Sequence, residues 1–145
     1  MRHLIVVIGA LIGAAGCGLL DPDSRRVVGL IDPGSAPATI DAPDTVQLGV
    51  PFAATVNSFG SSSCTTPDGV RLTLEPAEAR VIPYDRVPTG DDLVCTADIA
   101  LHPHPVELHF TQGGAATIVA VGMVLDQTSG DRVPGEVTKA VFVLP

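Results

Sequence analysis

Apolar and polar side chains alternate with period two along most of the chain, which is the pattern of half-buried β-strands. In the clearest stretch, Val70, Leu72 and Leu74 point to one side and the polar residues between them point to the other. The run from Phe52 to Val56 likewise directs alternate apolar residues toward a core. The pattern predicts strands at Val27 to Ile31, Thr45 to Leu48, Phe52 to Val56, Val70 to Glu75, Arg80 to Tyr84, Ala97 to Leu101, Val106 to Phe110, Ala116 to Leu125 and Val137 to Leu144.

Clusters of turn-forming residues separate these segments, for example Asp32-Pro33-Gly34, Pro67-Asp68-Gly69 and Gln112-Gly113-Gly114. No segment shows helical periodicity, and no internal repeat is present. Seven to nine strands spaced in this way over about 120 residues are typical of a β-sandwich. The sequence therefore predicts an all-β fold, a single antiparallel β-sandwich, over residues 25 to 145.

Two segments carry a resemblance to bacterial immunoglobulin-like domains. Ile40 to Val56 resembles the opening of such domains, with an extended strand, a Gly-x-Pro turn and an alternating second strand. Val106 to Val121 is similar to their late hairpin. The resemblance implies an immunoglobulin-like sandwich, although the chain has no Trp and a single Tyr, Tyr84, where antibody-type domains pack a tryptophan on the disulfide.

The N-terminus has the three parts of an export signal. Met1-Arg2-His3 is a basic start, Leu4 to Gly13 is apolar, and Ala14-Ala15-Gly16 supplies small residues before Cys17. The uncharged run ends at Leu20 and is shorter than the ~20 apolar residues that a membrane-spanning helix needs. Residues 1 to 16 are therefore predicted to be a signal peptide.

The cleavage site, Ala14-Ala15-Gly16-Cys17, resembles the lipobox of bacterial lipoproteins. The resemblance implies a diacylglyceryl thioether on Cys17 and an acylated amino group, with residues 17 to 24 forming a short tether. Two or three acyl chains give stable anchoring, since each buried methylene contributes ~0.8 kcal/mol. The implied location is the cell envelope, and Gly18 after the cysteine favours the outer membrane in a cell with two membranes.

The charge balance limits the partners that the chain can have. After residue 16 the chain carries seven Lys and Arg against sixteen Asp and Glu, a net charge of −9 with histidines neutral. Such a chain repels nucleic-acid phosphates. It also repels anionic lipid headgroups, so the predicted lipid, rather than a basic patch, must hold it to a membrane.

Besides Cys17 the chain has two cysteines, Cys64 and Cys95. In an exported protein such a pair usually forms a disulfide, and this bond is the prediction here. It is expected to link two loops at one end of the sandwich. The alternative, a pair of thiols that bind a metal, lacks a second cysteine two or three residues from either one.

The densest group of candidate metal ligands is His102, His104, Glu107 and His109. Imidazoles and a carboxylate suit zinc or copper, and alternate residues on a strand share a face. Two prolines, at 103 and 105, interrupt the ladder there, so the histidines are expected to be solvated in a loop or edge that leads into the strand. No metal and no other cofactor is predicted.

Carboxylates also gather in two groups along the chain: Asp21, Asp23, Asp32, Asp41 and Asp44, and then Asp85, Asp91 and Asp92. Loops rich in Asp can hold calcium, but the spacing of a calcium-binding loop is absent. The favoured interpretation is that these residues form turns and improve solubility.

The sequence lacks a nucleophile elbow and a Gly-rich phosphate loop, and the Ser61-Ser62-Ser63 run has no histidine beside it. The prediction is a lipid-anchored envelope protein that acts by contact, as a structural, adhesion or accessory protein-binding module. Its partners would be the membrane, through Cys17, and an envelope protein. A carrier of a metal or small ligand and an enzyme of a kind not recognised here are the alternatives. The sequence leaves the oligomeric state open.

Overall fold

The computed structural model describes residues 24–34, 38–90 and 92–145. The predicted signal peptide, Cys17 and nearly all of the predicted tether lie outside these ranges. Within them every regular element is a β-strand, which confirms the all-β prediction. The strands are β1 (Ser24–Val28), β2 (Leu30–Asp32), β3 (Ile40–Asp41), β4 (Thr45–Gln47), β5 (Phe52–Gly60), β6 (Thr66–Leu74), β7 (Glu78–Pro88), β8 (Ala100–Leu108), β9 (Gly114–Leu125) and β10 (Arg132–Leu144).

All ten strands belong to one hydrogen-bonded sheet that curls into a half-barrel. Three long antiparallel pairs form most of it, β5 with β8, β6 with β7, and β9 with β10. Among the described strands β6 pairs only with β7 and β8 only with β5, so both are edge strands. The curl brings these two edges of the sheet close to each other, although no ladder forms between them.

This architecture differs from the predicted antiparallel sandwich of seven to nine strands. The described residues contain ten strands, and three of their pairings are parallel: β4 with β10, β2 with β9 and β7 with β9. Two of the parallel pairings involve the short strands β2 and β4 near the N-terminus, and the third joins two long strands, β7 and β9. β2 lies between β5 and β9 and so connects them into one sheet.

β7 and β9 run side by side only at their beginnings, from Glu78 to Val81 and from Thr117 to Ala120. Beyond that point they separate, and the segment β1–β2 occupies the gap, with β1 against β7 and β2 against β9. Gly29 lies where this segment crosses over. Its N–H donates to the Pro83 carbonyl at 2.9 Å, and its carbonyl accepts from the Met123 N–H at 2.9 Å.

The core lies inside the curl, where alternate residues of the long strands meet. Val56, Val81, Leu108 and Ile118 are fully enclosed there, and Phe110 follows β8 into the same core. The predicted inward row on β5 is confirmed, because Ala54 and Val56 are buried and Phe52 packs against the cluster. Toward the Gly60 end of β5 the inward row becomes polar, and this change of character creates the candidate site.

Candidate functional site: a buried Ser-Asp-His cluster below an end cavity

His102 and His104 are buried, and the prediction of solvated loop histidines is wrong. β8 continues through Pro103 and Pro105, so His102 and His104 lie in the inward row that also contains Val106 and Leu108. Among the described strands β8 pairs only with β5, and an edge strand tolerates proline because its outer N–H groups need no partner in the sheet. The sequence analysis treated the prolines as an interruption of the strand.

The other two candidate ligands, Glu107 in β8 and His109 just after it, lie on the opposite face from His102 and His104. Glu107 and His109 are exposed, and they therefore point away from the two buried histidines. The alternation of side chains along a strand correctly predicts that His102 and His104 share one face and that Glu107 and His109 share the other. Because the faces are opposite, the four side chains cannot bind one metal ion together. The described residues contain no group of three or more His, Cys, Asp or Glu side chains placed to hold a metal ion.

His104 belongs to a buried cluster with Ser58 of β5 and Asp85 of β7. The Ser58 hydroxyl donates to Asp85 Oδ1 at 2.8 Å, and His104 Nε2 lies 2.9 Å from Ser58 Oγ and 3.1 Å from the same Asp85 oxygen. Each of the three residues exposes 2% of its surface or less. The Ser58 hydroxyl, Asp85 Oδ1 and His104 Nε2 therefore bond to one another inside the half-barrel.

The hydrogen positions in this cluster follow from counting donors. The Ser58 hydroxyl has one hydrogen and directs it to Asp85, so His104 Nε2 must be the donor toward Ser58. This assigns a proton to Nε2. His104 Nδ1 and His102 Nε2 are both buried, and within the described ranges neither has a hydrogen-bond partner.

This arrangement differs from a catalytic triad in its connectivity. In a triad the carboxylate orients the imidazole through Nδ1, while Nε2 faces the serine and takes its proton. Here Ser58 and Asp85 both contact Nε2, and all three side chains are closed to solvent. The geometry fits a structural role in specifying how β5, β7 and β8 pack.

Gly29 permits the close approach that covers this cluster. A Cβ atom at that position would lie 2.8 Å from Ser58 Cβ and 3.1 Å from Asp85 Oδ2. Any larger residue would therefore push the β1–β2 crossover away from β5 and β7.

No pattern in the sequence singled out Ser58, and the grouping of Asp85 with the loop carboxylates Asp91 and Asp92 is wrong. Asp91 lies outside the described residues, and Asp92 is exposed. Asp85 instead continues the inward row of β7 after Val81 and Pro83. Extending the predicted strand by one residue beyond Tyr84 would have revealed its direction.

A cavity of about 330 Å³ lies at the same end of the barrel, and Asp85 contributes to its wall. Its wall combines apolar side chains with nearly as much polar surface, from strands on both sides of the crossover. Small-molecule sites also combine the two kinds of surface, although most of them are more apolar. The lining residues include Val28, Leu30, Phe59, Val87, Leu93 and Arg132, together with the disulfide.

The disulfide between Cys64 and Cys95 is present, which confirms the prediction. It joins the turn after β5 to the segment that precedes β8, with the two Cα atoms 5.6 Å apart. It therefore links two connections at one end of the barrel. Both cysteines line the cavity, so the bond also fixes part of its rim.

Hydrogen bonds support the same contact between the two connections. Thr96 Oγ1 lies 2.8 Å from Ser61 Oγ, and the Thr96 N–H donates to Ser63 Oγ at 2.9 Å. Asp98 accepts from the Thr96 hydroxyl and from the Ser62 N–H. These bonds, with Thr96 first, lower the pKa of Asp98 from 3.8 to about 2.

The Asp98 carboxylate is expected to titrate near pH 2 in the folded protein. A lowered pKa means that its contribution to stability is complete above pH 3.8 and is lost as the pH falls through about 2. Carboxyl-carbon NMR would measure the midpoint. In Thr96→Val the midpoint should return toward 3.8, and an unchanged midpoint in that variant would show that the Thr96 bond is not the cause.

The chain matches no protein-family model, no curated protein and no solved structure. Helices able to span a bilayer are absent from the described part of the chain.

Proposed function

We propose that the protein is a lipid-anchored cell-envelope protein, attached through Cys17, whose β domain acts by contact as a structural, adhesion or accessory protein-binding module. The export signal and the lipobox resemblance at residues 14 to 17 support the anchor. The described domain starts at Ser24, only seven residues after Cys17, so it works close to the surface that holds the lipid.

The observation that carries the contact role is a group of exposed apolar side chains, here called the far-end patch: Leu48, Val50, Phe142 and Leu144. Their exposed fractions are 41%, 51%, 53% and 40%. Phe142 and Leu144 share the outward face of β10, and the Leu48 N–H donates to the Leu144 carbonyl at 2.8 Å. Contiguous apolar patches of this kind commonly mark surfaces that bind another protein.

An immunoglobulin-like relationship belongs to the same proposal. β3 pairs with β5 while β4, a few residues later, pairs with β10, so one short segment joins two distant parts of the sheet. Strands that change partners in this way form the corners of sandwich folds. The parallel pairing of β7 with β9 is the main departure from an antiparallel sandwich.

A second candidate function is the binding of a small ligand in the end cavity. The cavity of about 330 Å³ is large enough for a small molecule, and its wall combines apolar side chains with polar groups such as Ser61, Thr65 and Arg132. The ligand class that fits best is therefore a small molecule that has both an apolar and a polar part.

The contact role can be tested by site-specific photocrosslinking in intact cells. A photoreactive amino acid at Phe142 is expected to form a covalent adduct with a discrete envelope protein. The same amino acid at Val133, which is 36% exposed on the other half of β10, is the matched control. Equal adducts at both positions, or none at Phe142, would contradict a partner at the far-end patch.

The anchor is tested in the same cells. Wild-type protein should partition into the detergent phase, and Cys17→Ser should remain unprocessed and carry no lipid. A Cys17→Ser protein that is processed at the same position and stays membrane-bound would contradict the lipoprotein assignment.

A further inference from the structure

The segment 92–99 that precedes β8, here called the disulfide loop, exposes large apolar side chains. Leu93 is 49% exposed, Val94 is 94% exposed and Ile99 is 66% exposed. Cys95 and the bonds of Thr96 to the serine turn hold this loop against the rest of the domain. The disulfide and the hydrogen bonds therefore restrain the loop, and its apolar side chains are exposed to solvent.

The chain enters the domain beside this loop. Ser24, the first residue of β1, pairs with Pro88 at the end of β7, just before the disulfide loop begins. Ser24, Leu93 and Val94 also line one surface cleft. The polypeptide that comes from Cys17 thus arrives next to the most exposed apolar residues at this end.

The length of that connection limits how far this end can lie from the lipid. Seven residue steps separate Cys17 from Ser24, and a fully extended chain spans at most about 3.5 Å for each, or roughly 25 Å in total. A lipid on Cys17 is held at the bilayer surface. Ser24, and with it the neighbouring disulfide loop, is therefore kept near that surface, and the far-end patch lies about one strand length from the loop within the domain.

The charge at this end does not attract it to an anionic membrane. Arg25, Arg26, Arg86 and Arg132 are located here, but the carboxylates are more numerous: Asp32, Asp68, Asp85, Asp92, Asp98, Asp126 and Asp131. Anionic headgroups repel such a surface. A contact with a bilayer must therefore come from the exposed apolar side chains.

We infer that the disulfide loop rests on the bilayer that carries the lipid of Cys17, with Leu93 and Val94 inserted among the headgroups. This second contact fixes the orientation of the domain, with the disulfide end toward the membrane and the far-end patch toward other envelope components. The inference rests on the proposed lipid anchor. The occupant of the apolar surface is a lipid bilayer, since the anchor places one there.

The test uses the absence of tryptophan from the chain. Full-length lipidated protein carrying Val94→Trp is reconstituted into phosphatidylcholine vesicles whose acyl chains are brominated, because bromine quenches tryptophan on contact. Val50→Trp, in the far-end patch, is the matched control. Val50 is 51% exposed against 94% for Val94, so both side chains are open to the outside. Val50 lies beyond the other end of β5, a nine-residue strand, or roughly 30 Å at the rise of an extended chain.

The expected result is emission from Val94→Trp that is shifted to shorter wavelength and quenched several-fold more strongly than emission from Val50→Trp. Equal, weak quenching of both variants on vesicle-bound protein would overturn the loop contact while leaving the anchor intact. A blue shift without quenching would also overturn it, since another surface would then cover Val94. Protein that fails to bind vesicles would overturn the anchor itself, and equal melting temperatures of the two variants would show that both are folded.

Discussion

Replacing Asp85 with alanine is expected to lower the free energy of unfolding by about 3 kcal/mol, because the change leaves a buried hydroxyl and a buried imidazole without their shared acceptor. Asp85 is 2% exposed and receives contacts from both Ser58 and His104. The small cavity left by the truncation adds to the loss. Urea denaturation of wild type and variant, followed by circular dichroism, would measure the difference.

Asp44→Ala is the control for this measurement. Asp44 also forms an ion pair, with Lys139 Nζ at 2.6 Å, but its side chain is 89% exposed. An exposed pair contributes little to stability, because water and salt screen it. If Asp85→Ala destabilised the protein no more than Asp44→Ala, the buried cluster would not hold β5, β7 and β8 together as proposed.

The conservative variant Asp85→Asn separates two explanations of the loss. Asparagine keeps the size of the side chain and one acceptor oxygen, so Ser58 can still donate to it. If hydrogen bonding dominates, Asn should recover a large part of the stability that Ala loses. If the loss came only from packing, Asn and wild type would be equally stable.

The sequence predicted most of the long strands well because one face of each lies against the core. β6 is the exception: its alternation predicted the strand correctly, but Leu72 and Leu74 are 36% and 37% exposed. The inward row of β5 and the apolar runs in β9 and β10 follow directly from the period of an extended chain. The pairing of the short N-terminal strands could not be predicted from the sequence. That pairing depends on the separation of β7 from β9 and on a glycine at position 29, and neither feature produces a periodic pattern in the sequence.

The candidate site was harder to predict than the fold for a physical reason. Alternation does assign His102 and His104 to one face of β8, but proline normally weakens a strand, and only the edge position of β8 removes that conflict. Edge position is a property of the whole sheet. The Ser58–Asp85–His104 contacts likewise join residues from three strands far apart in sequence, so no local spacing could indicate them.

The orientation inferred for the domain gives its two exposed apolar surfaces different surroundings. Leu93 and Val94 lie at the end where the tether enters, and Phe142 and Leu144 lie at the end remote from it. If the disulfide loop rests on lipid, the far-end patch faces away from the membrane. The end cavity would then open near the bilayer, since Leu93 and the disulfide form part of its wall.

Removal of the disulfide by the double substitution Cys64→Ser and Cys95→Ser is expected to lower the free energy of unfolding by roughly 3 to 4 kcal/mol, because the bond closes a long loop in the unfolded chain. The two cysteines are 31 residues apart in sequence and connect segments that otherwise meet through exposed hydrogen bonds. Guanidinium titrations of the oxidised protein, the reduced protein and the double variant would measure the loss. A reductant should weaken the wild type to the level of the double variant and leave the variant itself unchanged. Identical unfolding midpoints for oxidised and reduced wild type would show that the hydrogen bonds between the serine turn and Thr96 are sufficient without the covalent link.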